Sequence, residues 1–402
     1  MKRKILYISG SRAEYGLMRS VLREIKKHPA LELEIIVTGM HLMREFGLTV
    51  KDIEKDGYKF HRVYAVYERD DKKSMADFIG KFISLLTEKI TEIDPDIILL
   101  VGDRGEMLAG AIVGAYLTIP VAHIHGGEVT STVDEIARHA ITKLSHIHFV
   151  ATPLSARRVI QMGENPSNVF IVGAPSIDNI LSGEFTQPRD IAKNHDLDLS
   201  RPIIIVVQHP VTTEIEDAER QMRETMEAIS DIGEQTIVIY PNADAGGRRM
   251  IKVIERYRDK NFIRIYKSVP YMDFLGLMNV ADVLVGNSSS GIIEAPSFGL
   301  PVVNIGKRQE GRERAENIID VNHDRKEIKK AIEKALYDES FKRLVKSSRN
   351  KNPYGDGKAG VRIARILSEI DLSTNLLQKR FMEWNCPEIM QILGGRKNGR
   401  KI

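Results

Sequence analysis

With 402 residues, 42% hydrophobic and 28% charged, the chain has the composition of a globular protein too long for one ordinary core, so two domains are expected. Its net charge of +4 comes from acids and bases interleaved along the chain, which gives no general field for nucleic acid or a membrane. The lone cysteine, Cys386, excludes an internal disulfide framework and a cysteine-based zinc site, and fits a cytoplasmic setting.

The opening "MKRKILYISG" turns from basic to apolar, but its apolar part is too short for a signal segment or a membrane span. It reads as a first strand over 4–9. Further strands are expected at 33–38, 96–102, 119–124 and 147–151, with amphipathic helical segments such as 16–27, 74–93 and 105–116 between them. Near-continuous apolar strands alternating with helices imply a parallel sheet covered on both faces. The alternation pauses at 181–202, a polar, Pro-punctuated stretch that reads as a linker. It restarts with strands at 202–208, 235–241, 261–266, 281–286 and 300–306. The expected fold class is α/β, with two successive doubly wound domains over 1–182 and 200–356. A helix at 357–370 ends the second domain or crosses back onto the first, and 371–402 is an appended helix with a basic tail, "GGRKNGRKI".

In open parallel sheets, ligands bind beyond the carboxyl ends of the strands. Polar residues gather at those positions here. "SGSRAEYG" places Arg12 at a strand-to-helix turn that favours an anion, and "GDRGE" puts Asp103 beside Arg104. "HIHGGEVTSTVDEIARH" (123–139) packs three histidines, three carboxylates and an arginine behind an apolar strand. In the second half "QHPVTTE" brings His209, "PNADAGG" brings Asn242, and "GNSSSGIIEAPSFGLP" sets hydroxyl and amide donors before an apolar helix, where a pyrophosphate would sit. Singly, each has a plainer reading: a capped turn for the serines, surface charge for Arg12 and Arg308, an exposed ion pair for "GDRGE". His123, His139, His146 and His148 read as scaffold. His123 and His125 alternate on a strand and so point to opposite faces, which argues against a metal site. The shared location after successive strands is what favours a cleft.

Taken together, "GSRAEYG", "GDRGEMLAGA", "HIHGGEVTSTVDEIARHAITKLSHIHF", "QHPVTTE", "PNADAGG", "GNSSSGIIEAPSFGLPVVNIGKRQEGRERAEN" and "NPYGDGKA" resemble the UDP-N-acetylglucosamine 2-epimerase family, in particular its hydrolysing branch, over about residues 3–370. The resemblance implies a GT-B-like pair of Rossmann-like domains, a UDP-sugar in the cleft, no cofactor or metal, and a homodimer or homotetramer. It further implies elimination of UDP across C1–C2 to a glycal, followed by hydration to a free N-acetylmannosamine-type sugar, as in sialic acid synthesis. Asp103 and Asp134 match the family's acidic residues. Some relatives carry Glu where this chain has His125, so either His125 or the nearby Glu128 supplies that proton transfer. His209 matches a histidine near the sugar and pyrophosphate. Arg12, Ser288 and Ser289 match phosphate-binding positions, Glu294 matches a ribose-binding glutamate, and Asn242, Arg104 and Arg308 match positions near the nucleotide or the cleft. "GRERAEN" (311–317), with Arg312 and Arg314, either closes over the substrate or is a solvated charged loop. Two further readings stay open: the same chemistry on a UDP-2,4-diacetamido-2,4,6-trideoxyhexose, and a GT-B glycosyltransferase.

Overall fold

The computed structural model describes residues 2–130, 133–349 and 351–383. Two parallel sheets organise it. The first contains β1 (Arg3–Ser9), β2 (Leu31–Val37), β3 (His61–Arg62), β4 (Ile97–Val101), β5 (Val121–Ile124), β6 (Ile147–Val150) and β7 (Val169–Ile171), in the order 3-2-1-4-5-6-7. The second contains β8 (Ile203–Val207), β9 (Gln235–Ile239), β10 (Ile263–Tyr266), β11 (Val283–Gly286), β12 (Val302–Ile305) and β13 (Ile318–Val321), in the order 10-9-8-11-12-13. Every pairing in both sheets is parallel. The fold is α/β, two doubly wound Rossmann-like halves in a GT-B-like arrangement. Each sheet reverses its winding once, between β1 and β4 and between β8 and β11. Those reversals open crevices at the carboxyl ends of the strands, where a doubly wound sheet binds ligands.

The central strands β4 and β8 are buried residue for residue, which is why they read as unbroken apolar runs. Strands β3, β7 and β13 were not expected. Each is a sheet edge, only half-buried, and so carries no continuous apolar signal. The stretch expected to be linker contains a helix, Pro188–His195, whose Ile191 is fully buried among Ile203, Leu277 and other apolar residues of the second half.

The helix Ala359–Glu369 lies on the first half, with Ile363 and Leu367 fully buried in the cluster that holds Ile5, Met18 and Leu22. Its N-terminus is tied there by Asp178, whose carboxylate accepts the backbone N–H groups of Ala359 (2.9 Å) and Gly360 (2.7 Å). Beyond a short helix at Thr374–Leu377, Lys379 Nζ donates to the carbonyls of Thr142 (3.2 Å), Lys143 (2.7 Å) and Ser145 (2.5 Å) and pairs with Glu164 (2.6 Å). It thereby caps the C-terminal end of the helix Val133–Leu144. Cys386 and the basic tail lie outside the described residues. Among the described residues, no helix is long and apolar enough to cross a membrane.

Candidate active site

The carboxyl ends of the two sheets face one cleft, lined by residues from both halves. On the first-half wall, Ser11 caps the helix Arg12–Lys27 in a reciprocal box. Its side chain accepts the Glu14 N–H, while Glu14 Oε2 accepts the N–H groups of Gly10 and Ser11, both at 3.0 Å. Arg12 therefore stands at the positive end of a helix, an unfavourable place for a cation that makes sense where an anion is to be bound. Burial pushes its guanidinium down to about 10, against the opposing pull of Asp52 and Asp273.

After β4, Asp103 is ion-paired to Arg138. The neighbouring Arg104 is surrounded by Glu106 (3.3 Å), Glu14 (3.6 Å) and, across the cleft, Asp244 (3.5 Å), and donates to the Tyr67 hydroxyl (3.2 Å). Burial and the nearby Glu106 push the Glu14 carboxyl up to about 7.

After β5 the backbone turns sharply. His125 adopts a left-handed φ of 67°, rare for a residue with a side chain, and Gly127 follows at φ 75°. A Cβ on Gly127 would fall 2.2 Å from the Ser155 carbonyl oxygen, so only glycine lets the turn pass the helix Pro153–Gln161. The turn aims two side chains at each other: His125 Nδ1 and Glu128 Oε1 are 2.5 Å apart, and Glu128 Oε2 meets Arg312 at 3.0 Å. Glu128 is 3% exposed. Burial alone would raise its carboxyl, but Arg312 and His125 outweigh that and hold it below the ordinary carboxylate range. Glu128 is thus the anion and His125 Nδ1–H its donor. Nε2 is buried without a hydrogen-bond partner.

The helix Val133–Leu144 carries Asp134 in its first turn and Arg138 one turn later. Arg138, fully buried, donates from Nη1 to the Glu128 carbonyl (3.1 Å) and from Nη2 to Asp103. Asp134 meets Arg308 of the opposite half at 3.1 Å.

The second-half wall is built on the winding reversal between β8 and β11. Asn287 bridges it, accepting the His209 N–H (2.7 Å) and donating to the His209 carbonyl (2.9 Å). Burial, with Arg308 and Arg104 nearby, holds His209 well below its ordinary range and so neutral. Its Nδ1 accepts the Asn242 N–H (3.1 Å), which puts the ring proton on Nε2 as a donor. Ser288 and Ser289 follow β11, with no capping bond from the Ser289 side chain. The long apolar helix expected after them is two four-residue pieces, Ser290–Ile293 and Ala295–Phe298, interrupted before Pro296. One helical turn carries little macrodipole, so any anion here is held by local hydroxyl and amide donors.

A model of the UDP-N-acetylglucosamine 2-epimerase family matches residues 23–368. The chain belongs to that family. It is 42% identical over 381 residues to the UDP-N,N'-diacetylbacillosamine 2-epimerase (hydrolyzing) of Legionella pneumophila, covering 94% of this chain and 99% of that protein. It is 34% identical over 384 residues to a UDP-N-acetylglucosamine 2-epimerase of Neisseria meningitidis, covering 95% of this chain and 100% of that protein. Among solved structures it resembles a Neisseria meningitidis UDP-GlcNAc 2-epimerase bound to UDP-GlcNAc, with a TM-score of 0.75 and 20% identity over 91% of this chain and all of that one.

This family member brings Arg12, Asp103, Arg104, His125, Glu128, Asp134, His209, Asn242, Ser288, Ser289 and Arg308 to the one cleft. Glu294 does not line it. Its carboxyl is buried, with Oε1 unpartnered, and burial raises it above the ordinary range. The "GRERAEN" segment divides: Arg312 lines the cleft, whereas Arg314 pairs with Asp320 (2.5 Å) on the outer side. Sequence reasoning assigned nothing to Arg138. The available signal was its spacing, four residues after Asp134 on one helical face. His123, His146 and His148 serve the scaffold. His123 Nε2 contacts the Gly102 carbonyl (2.7 Å), His146 Nδ1 accepts the Val121 N–H (3.1 Å), and His148 meets Glu164 (3.0 Å). Among the described residues, no group of three or more His, Cys, Asp or Glu is placed to hold a metal ion.

Proposed function

We propose that the protein is a hydrolysing 2-epimerase of UDP-linked 2-acetamido sugars, converting UDP-sugar and water to the free 2-epimeric sugar and UDP. One observation carries this reading. Proton-transfer groups (Asp103, His125, Glu128, Asp134) and groups suited to a leaving diphosphate (Ser288, Ser289, His209, Arg308) stand on opposite walls of the same cleft. Elimination needs both on adjacent carbons. A base takes the C2 proton while the C1–O bond to UDP breaks, leaving a C1=C2 double bond. Water then adds OH at C1 and a proton at C2 from the other face. His125 Nε2, oriented by Glu128, is suited to one of these proton transfers, and Asp103 or Asp134 to the other. The neutral His209 offers Nε2–H to the departing diphosphate, with Ser288, Ser289 and Arg12 sharing its charge.

The preferred substrate on this reading is UDP-N,N'-diacetylbacillosamine, a 2,4-diacetamido-2,4,6-trideoxyhexose, because the 42% identical relative bears that activity in its name. Leu17, Met40 and Phe46 give the cleft apolar surface that suits an acetamido or C6 methyl group. UDP-GlcNAc, giving N-acetylmannosamine, is the second reading, supported by the 34% identical relative. Family membership runs against a glycosyltransferase. The test is a proton NMR time course in deuterated water with each nucleotide sugar. Free sugar deuterated at C2 together with UDP is expected, faster from the diacetamido substrate. A UDP-linked epimer as the product would sink the hydrolysing assignment, and faster turnover of UDP-GlcNAc would reverse the substrate order.

A further inference from the structure

Arg308 has partners on both walls. Nη1 donates to the Asn287 carbonyl (3.2 Å), immediately before Ser288 and Ser289, and Nη2 donates to Asp134 Oδ2 (3.1 Å) on the opposite half. Both side chains are largely withdrawn from water, at 14% and 15% exposure, so the pair is only partly screened. A diphosphate seated on the serines would bring at least two negative charges and several acceptor oxygens to the same guanidinium, a stronger partner than one carboxylate.

We propose that Arg308 is an exchange residue. It pairs with Asp134, and when the UDP-sugar docks it passes to the diphosphate and withdraws that ion pair from Asp134. This rests on the function proposed above and adds a coupling within the site: the leaving group arms the proton-transfer wall. Asp103 has no such exchange. Its partner Arg138 comes from the same half and is fully buried, tied also to the Glu128 carbonyl and the Thr130 hydroxyl. Asp134 and UDP are therefore competitors for one cation, and competition at equilibrium is reciprocal.

The consequence is opposite to that of an ordinary binding residue: removing the Asp134 charge tightens UDP. Isothermal titration of the full chain with UDP alone should show Asp134→Asn, and Asp134→Ser as a second variant, binding roughly threefold to tenfold tighter than wild type. Arg308→Gln should bind more weakly and erase the gain when combined with Asp134→Asn. Asp103→Asn should stay within about twofold, whereas a general field effect would move both aspartates alike. Unchanged or weaker UDP binding by both Asp134 variants, or an equal gain in the Arg308→Gln background, overturns the exchange while leaving the 2-epimerase reading standing. Failure of the wild type to bind UDP overturns both.

Discussion

Replacing Glu128 with Gln removes one charge and almost no volume, yet the cleft cannot absorb it. The carboxylate accepts from His125 Nδ1 at 2.5 Å and is ion-paired with Arg312 at 3.0 Å while 3% exposed, so both contacts involve its charge and are shielded from water. A glutamine amide offers one acceptor and one donor to two donors. If its oxygen stays on His125, its NH2 opposes Arg312 and leaves a buried guanidinium without a counter-charge. If it flips, its NH2 turns to Nδ1, forces the proton to Nε2 and removes the lone pair that faces the substrate. Charge-assisted hydrogen bonds contribute about 1.5–3 kcal/mol each, so the variant should lose about 3 kcal/mol of stability. Misassigning the tautomer of a proton-transfer group should lower kcat by about 10²–10⁴, or about 2.7–5.5 kcal/mol of barrier. UDP affinity, proposed above to rest on Ser288, Ser289, His209, Arg308 and Arg12, should change less than about threefold. Turnover followed by NMR, UDP titration calorimetry and ¹⁵N shifts of the histidine rings separate these effects. A kcat within threefold of wild type, with the His125 tautomer unchanged, would show that Glu128 does not orient the ring.

Two further outcomes follow from groups outside the cleft chemistry. Burial holds His41 and His123 near 3, while an unfolded histidine titrates near 6.5; both contribute stability that is complete above about pH 6.5 and lost as the pH falls through that window. Glu14, pushed up to about 7, works in the opposite sense between pH 7 and about 4.3, so these three groups together leave roughly one excess proton on the unfolded side, or about 1.4 kcal/mol per pH unit. The urea midpoint should therefore drop between pH 6.5 and pH 5, and a midpoint that holds or rises would refute the assignment. Lys379→Met should strip the C-terminal carbonyls of the helix Val133–Leu144 of their cap, costing about 2–3 kcal/mol and speeding amide exchange near that end. An unchanged melting curve would mean that water replaces the lysine without cost.

What the sequence made legible follows from burial. Central strands such as β4 and β8 announce themselves because both faces are covered, and the residues after them mark the cleft because strand ends are where backbone donors and helix starts converge. The edge strands β3, β7 and β13 do not, since one flank and part of each face meet solvent; β10, also an edge, is legible from its alternating Ile263 and Ile265. In the 181–202 stretch, two buried apolar residues, Ile191 and Leu197, were too little apolar signal to outweigh the surrounding polar composition. The break after Ser290–Ile293 was written in Pro296, but the apolar run around it suggested a continuous helix. Partners could not be read at all. That Glu128 takes Arg312 and not Arg314 depends on how a loop of the second half meets a turn of the first, a contact between residues 184 positions apart.

The pairing of charge across the cleft gives the site its logic. A buried arginine without a counter-charge is costly, and this cleft is lined by several. Three of them are matched to a carboxylate on the other half: Arg308 to Asp134, Arg312 to Glu128, and Arg104 to Asp244. Each pair exists only where the halves meet as they do here. The arrangement that neutralises these arginines is therefore the same one that brings Asp134 and the His125–Glu128 pair to face the serines. Separating the halves would undo both at once, exposing cations to water and parting Asp134 and the His125–Glu128 pair from the serines.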